Sequence, residues 1–240
     1  MNKTYLNWSS GKDAAFALYK IQKSKEFSVE KLVTTINSEV DRVSMHGLRK
    51  ELLLLQAESI GIPLQLIELK GTVSMEEYNS IMNKTVSSFA TENFTHSIFG
   101  DIFLEDLKKY RKDQLETLGI NAVFPLWKVN TKKLITDFIE LGFKAITVCV
   151  NAKVLSKEFC GRAVDMDFVN SLPSTVDPCG ENGEFHTFVY DGPNFKEPVK
   201  FEIGDILERK YTASKDEDDC FKDKPKSWDT AFWFCDLIPK

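Results

Sequence analysis

Two clusters of residues carry the chemistry that this sequence offers most directly. The first is Ser9-Ser10-Gly11-Lys12-Asp13-Ala14, a run of small residues followed by a cation and a carboxylate. Small residues let backbone N–H groups approach an anion, a helix N-terminus favours negative charge, and Lys12 adds a point charge suited to a phosphate. Asp13 could hold Mg2+ or cap the helix that follows. An ordinary N-capped helix is the plainer reading of the same residues. The second cluster is Glu181, Glu184 and His186 in the glycine-containing stretch Pro178–Thr187. Glu184 and His186 stand two apart, so on a strand both would project to one side. There they could bind an amine, orient ammonia or move a proton; the polar face of a hairpin is the alternative.

These residues must be positioned by the elements around them. Strand-like runs occur at Thr4–Trp8, Leu32–Ile36, Leu64–Leu69, Ser97–Phe99, Ala122–Leu126 and Ala145–Val150. Helical spacing lies between them, with Leu48, Leu52 and Leu55 as one apolar stripe and Met75, Tyr78, Met82, Val86 and Phe89 as another. Both stripes read as core faces. A strand about every 30 residues with helices between implies parallel βαβ units and an α/β fold. Ligands then gather where strands turn into helices, which is where the Ser9–Ala14 run sits. After residue 172 the pattern changes to Pro- and Gly-punctuated short runs such as Phe185–Tyr190 and Val199–Ile203. The expected division is residues 1–170 for the nucleotide-binding domain and 171–240 for a smaller α+β, hairpin-rich substrate region. The acid-rich run Lys215–Asp219 reads as a solvated loop. The aromatics Trp228, Phe232, Trp233 and Phe234 read as core or interface.

Composition narrows the classes. The chain has 240 residues, 42% hydrophobic, with a net charge of −5. Such a balance disfavours a broad nucleic-acid footprint, which needs clustered Lys and Arg. No apolar run nears the roughly 20 residues that span a bilayer, and Met1–Trp8 lacks the pattern of a secretory signal. The five cysteines, Cys149, Cys160, Cys179, Cys220 and Cys235, include no Cys-x-x-Cys pair, so a reducing cytoplasm is the expected setting.

The first cluster is not a Walker A loop, since the upstream Gly is missing and Asp13 follows Lys12. It resembles the Ser-Gly-Gly-Lys-Asp-Ser pyrophosphate loop of the PP-loop ATP pyrophosphatases, with Ser9, Gly11, Lys12 and Asp13 matching. Val43–Gly47, Gly100–Asp106 with Tyr110-Arg111, Phe124–Trp127, and Pro178–Phe188 with Asp191-Gly192-Pro193 extend the likeness over residues 3–200. Together they resemble the diphthine–ammonia ligase branch of that superfamily. The resemblance implies a Rossmann-like parallel sheet of the adenine nucleotide alpha hydrolase-like type. It also implies a soluble ATP-dependent enzyme that adenylates a carboxylate, releases pyrophosphate and forms an amide with ammonia. Its partners would be ATP, Mg2+, ammonia and a carboxylate substrate such as diphthine on elongation factor 2, with a homodimer as the plausible assembly.

Carried over residue by residue, Ser9, Ser10, Gly11, Lys12, Asp13 and Ala14 would hold the ATP phosphates, with Asp13 on the metal. Thr34 to Asn37, among them Thr35 and Asn37, would line the adenine pocket. Asp101 would assist Mg2+ or the nucleophile, or else cap a helix. His46, Arg49, Glu181, Glu184, His186 and Thr187 would face the substrate, with Lys12, Asp13, Asp101, Glu184 and His186 taking part in catalysis. The ligase pattern reads Gly-Glu-Gly-Gly-Glu-Phe/Tyr-Glu-Thr, and here Asn182 replaces a Gly and His186 the last Glu. Two other readings are a PP-loop enzyme acting on a different small molecule and a non-catalytic ATP sensor. A tRNA thiolase is disfavoured for want of a cysteine pair and a basic surface.

Overall fold

Thr4, Tyr5 and Leu6 are all buried, so the first strand is covered on both faces, as expected at the centre of a parallel sheet. A computed structural model describes residues 1–43, 46–71, 73–211 and 230–240. In chain order the first elements are β1 (Asn2–Asn7), α1 (Lys12–Ser24), β2 (Phe27–Asn37), β3 (Arg42–Val43), α2 (Lys50–Ile60), β4 (Leu64–Leu69), α3 (Met75–Thr91) and β5 (His96–Ile98). Then come α4 (Glu105–Glu116), β6 (Asn121–Val123), α5 (Thr131–Glu140), β7 (Lys144–Asn151), a 3-10 turn at Lys157–Phe159, α6 (Met166–Ser171), β8 (Phe185–Asp191), β9 (Phe201–Tyr211) and β10 (Thr230–Pro239).

The parallel strands run β4-β2-β1-β5-β6 from edge to edge, with β3 antiparallel on the end of β2. The chain winds outward from β1 in one direction and then, from β5, in the other. That reversal puts a crevice at the carboxyl ends of β1 and β5. The expected α/β, Rossmann-like class is therefore the one found.

Ala145–Val150 does form a strand, but not a member of the parallel series. As β7 it pairs antiparallel with β8 and β10 in a second, four-stranded sheet ordered β8-β7-β10-β9. The run is buried along its whole length, and a continuous apolar strand looks the same in sequence whether its neighbours are parallel or antiparallel. The second sheet thus begins at Lys144, inside the segment that the sequence assigns to the first unit.

α2 also differs in detail. Leu48 and Leu52 are buried but Leu55 is 36% exposed, and the inward face is Leu52, Leu53, Gln56, Ala57 and Ile60. The helix ends where Gly61 takes φ +78° and donates its N–H to Ala57 O, a left-handed cap that favours glycine. In α3, Val86 and Phe89 are buried, while Tyr78 and Met82 pack at the margin of a smaller cluster around Tyr5.

The two sheets share one core. Phe16 of α1, Phe138 of α5, Phe143, Phe168 of α6, and Phe185 and Phe188 of β8 belong to a single buried cluster. Cys149, Cys160, Cys179 and Cys235 are free thiols within the protein. Phe232, Trp233 and Phe234 are half-buried in β10. Cys220, Lys215–Asp219 and Trp228 lie outside the described residues.

Phe138 is fully buried, with its ring centroid 4.7 Å from Phe143 and 6.2 Å from Phe16. Phe138→Ala is expected to cost about 3–5 kcal/mol in urea unfolding, the range for emptying a large aromatic site. A loss below about 1 kcal/mol would show that this cluster does not bind the two sheets together.

Candidate functional site

The site begins where β1 and β5 end. The Asn7 side-chain amide donates to Ser97 Oγ at 2.8 Å and to Ile98 O at 3.0 Å, lacing the two strand ends together. The loop after β1 is held from below. Thr34 Oγ1 donates to Trp8 O at 2.5 Å, and the buried Trp8 ring donates through Nε1 to Gln56 Oε1 at 2.7 Å. Ser10 adopts φ +69°, a left-handed conformation uncommon for a serine. Its carbonyl accepts from Gln56 Nε2 and from Val189 N, each at 3.0 Å. Its Oγ is buried with no hydrogen-bond partner among the described residues.

α1 then starts with Gly11 at its N-cap and without a capping side chain. First-turn N–H groups have no intrahelical acceptor. One of them, Lys12 N–H, donates to Thr187 Oγ1 at 3.0 Å. The turn after β5 lies directly on this helix start. A Cβ added at Gly100 would stand 2.8 Å from Asp13 C and 3.0 Å from Ala14 N, so only glycine permits the approach.

A dense charge cluster surrounds the loop. Lys12 is only 3% exposed, with Nζ 2.9 and 2.8 Å from the two oxygens of Asp13. Burial opposes the Lys12 charge, but Asp13, with help from Cys179 and Glu181, holds its pKa above the ordinary value. Burial lifts the Asp13 carboxyl against the pull of Lys12. Asp101 Oδ2 lies 3.1 Å from Arg111 Nη1, and burial raises its carboxyl in spite of that guanidinium. Glu181 Oε1 accepts from Ile102 N at 2.8 Å, and burial pushes its pKa up to about 7. Among the described residues no three acids, histidines or cysteines converge as a ready-made metal cage.

On the other side of the loop the His46 and His186 rings stack, with centroids 4.5 Å apart and planes inclined by 25°. His46 Nδ1 is buried without a partner among the described residues. Burial pushes His186 down to about 4, and Lys12 adds to the effect. Burial and the neighbouring His186 likewise hold His46 well below its usual value. Both rings are therefore neutral near pH 7.

The structure brings together Ser9–Ala14, Asp101, Glu181, His46, His186 and Thr187. Three expected residues have other engagements. Arg49 donates from Nε and Nη2 to Asp236 of β10 at 3.0 and 2.6 Å, and Arg42 grips the same carboxylate. Glu184 turns back into its own loop, accepting from Asp177 N (3.0 Å), Asn182 N (2.9 Å) and Asn182 Nδ2 (3.1 Å). It stands just before β8, so strand alternation does not align it with His186. Asn37 Oδ1 accepts from Glu39 N at 3.0 Å and shapes its own turn. Thr35 is half-buried at the β2 end, opposite Ile67 of β4. Gln56 and Arg111 are the additions. A polar residue on the apolar stripe of α2 was the available signal for Gln56.

The imidazoles set a pH dependence. With His186 depressed from 6.5 to about 4, the unfolded chain binds a proton that the folded chain rejects. Stability is then complete above that window and falls as the pH drops through it. His186→Gln is expected to flatten the acid limb of a Tm-versus-pH curve. An unchanged limb would mean that the ring is freely solvated.

Over residues 2–122 the chain matches the diphthamide synthase N-terminal domain, and over residues 130–220 the diphthamide synthase C-terminal domain. The interval between them falls at the junction of β6 and α5. A diphthine–ammonia ligase of Schizosaccharomyces pombe is 29% identical over 149 residues, which is 55% of this chain and 23% of that protein. The chain thus matches less than a quarter of that relative's length. Among solved structures, one described as a predicted subunit of tRNA methyltransferase from Methanocaldococcus jannaschii shares 17% identity, covering 60% of this chain and 77% of that one at a TM-score of 0.41. A U34-tRNA thiolase from Methanococcus maripaludis shares 14% identity over 59% of this chain and 57% of that one, at a TM-score of 0.37. With both family domains matched in order, the chain belongs to the diphthamide synthase family.

Proposed function

We propose that the chain is an ATP-dependent amide ligase, with the ATP phosphates on the Ser9–Ala14 loop. The observation that carries this reading is the α1 N-terminus, whose N-cap Gly11 has no side chain to cap it, beside a buried Lys12 and the orphaned Ser10 Oγ. Such a start leaves donors and positive potential for an anion. The ligase relative in Schizosaccharomyces pombe supports the reaction class.

In this reading a substrate carboxylate oxygen attacks the α-phosphorus of ATP. The bond from that phosphorus to the bridging oxygen breaks, and pyrophosphate leaves with the electron pair. Lys12 and the α1 N–H groups face the charge that builds on the leaving group, and fixed donors stabilise it without reorganising. Ammonia then adds to the acyl carbon, and AMP departs. Glu181, with a pKa of about 7, can take the proton that the nitrogen sheds. Asp13 can offer a carboxylate oxygen to Mg2+ arriving with the nucleotide, which would offset phosphate charge when bound. The lack of a three-ligand cage among the described residues suits a metal carried chiefly by phosphates. In this reading the end of β2, at Thr34 to Asn37, lines the adenine, mostly through its backbone.

Diphthine on elongation factor 2 is the acceptor suggested by the family. The neutral His46–His186 pair favours a second acceptor class, a carboxylate without a quaternary ammonium, because the rings present no negative charge to a cation.

Pyrophosphate release, measured with ATP, ammonia and candidate acids, tests the reading. Lys12→Ala is expected to lower release by about a hundredfold, the scale of a lost oxyanion-type contact, with circular dichroism unchanged. Full activity in a folded variant would overturn the phosphate-loop assignment. Tight ATP binding by the wild type without release, for any acid, would mark a sensor.

A further inference from the structure

We infer that Gln56 is a positioning residue for the phosphate loop, holding the Ser10 peptide in the orientation that admits pyrophosphate. The inference rests on the proposed nucleotide site and gives one of its supporting residues a role that does not require it to touch the nucleotide. Gln56 is fully buried in α2, and its amide is satisfied on both sides. Oε1 accepts from Trp8 Nε1 at 2.7 Å, while Nε2 donates to Ser10 O at 3.0 Å and Val189 O at 2.6 Å. A primary amide has two N–H donors, and both are spent here on carbonyls from different parts of the chain.

Ser10 needs such restraint. At φ +69° a serine sits in a region unfavourable to an L-residue, and it persists only where the surroundings over-determine it. Gln56 Nε2 and Val189 N together pin its carbonyl inward. With that oxygen turned away, the carbonyl presents no negative dipole to an approaching phosphate. The same amide ties the loop to β8, whose Thr187 Oγ1 receives Lys12 N–H. One side chain therefore fixes the loop from the α2 side and links it to the second sheet.

A positioning role separates from a merely structural one by comparing two nucleotides. AMP carries the adenosine but lacks the pyrophosphate that the Ser10 peptide would accommodate. Gln56→Met keeps the length and removes every hydrogen bond. By calorimetry it is expected to weaken ATP binding about tenfold, the equivalent of one lost hydrogen bond, while AMP affinity stays within about threefold. Should Gln56→Met fail to fold, Gln56→Glu replaces it. A buried protonated Glu retains one donor, so ATP affinity should fall less, again with AMP spared. Equal losses for both nucleotides, or no loss for either, would overturn the inference. Failure of the wild type to bind ATP would instead overturn the nucleotide-site reading.

Discussion

A lysine ammonium cannot be buried alone, and this constraint organises the centre of the molecule. Lys12 is almost wholly enclosed at the point where β1 gives way to α1, and an unpaired charge there would cost several kcal/mol. Asp13 supplies the counter-charge, but a buried carboxylate raises its own solvation cost. Asp101, Glu181 and Asp177 gather nearby, and each has a fixed partner or task. Asp101 has Arg111, Glu181 has the Ile102 N–H, and Asp177 accepts from Cys179 N. The result is a charge cluster in which burial, with smaller help from Asp13 and Asp101, raises Glu181 to about 7.

The loop itself is rigid because two layers hold it. The first sheet contributes Thr34 and Asn7, which fix the strand ends. The second contributes β8 through Val189 and Thr187. Neither sheet alone would define the turn at Ser10. Asn194 adds a further link, donating from Nδ2 to Ala15 O at 2.6 Å within α1. The two sheets thus meet at the phosphate loop, whose geometry belongs to both.

Much of this was legible in the sequence, for reasons that can be named. Ser9–Ala14 announced itself through small residues before a cation, and the alternation of strands and helices placed it at a strand-to-helix turn. The left-handed φ of Ser10 was not legible, because a serine carries no sign of that conformation. Nor was the sheet membership of β7, since burial on both faces erases the period that distinguishes sheet types. Arg49 and Glu184 looked like substrate contacts by position and charge. Their partners, Asp236 and the Asp177–Asn182 turn, are set by tertiary contacts that spacing does not encode. Gln56 left a trace, a polar residue on an apolar face, but its three partners come from two distant segments, the loop after β1 and strand β8.

The grip of Arg42 and Arg49 on Asp236 has a consequence for the history of the chain. These contacts join residues 194 and 187 positions apart. Phe234 of the same strand lies against Gly47, where an added Cβ would stand 3.0 Å from its ring. The turn that carries His46 is therefore anchored by a strand made long after it. During synthesis the parallel sheet can assemble as soon as its own strands emerge, but this turn gains its contacts with Asp236 and Phe234 only once β10 is made. Pairings of such long range slow folding, since chain entropy is lost before contacts compensate. The parallel sheet can form early, whereas the phosphate loop and the imidazole wall, which draw on β8 and β10, are late acquisitions.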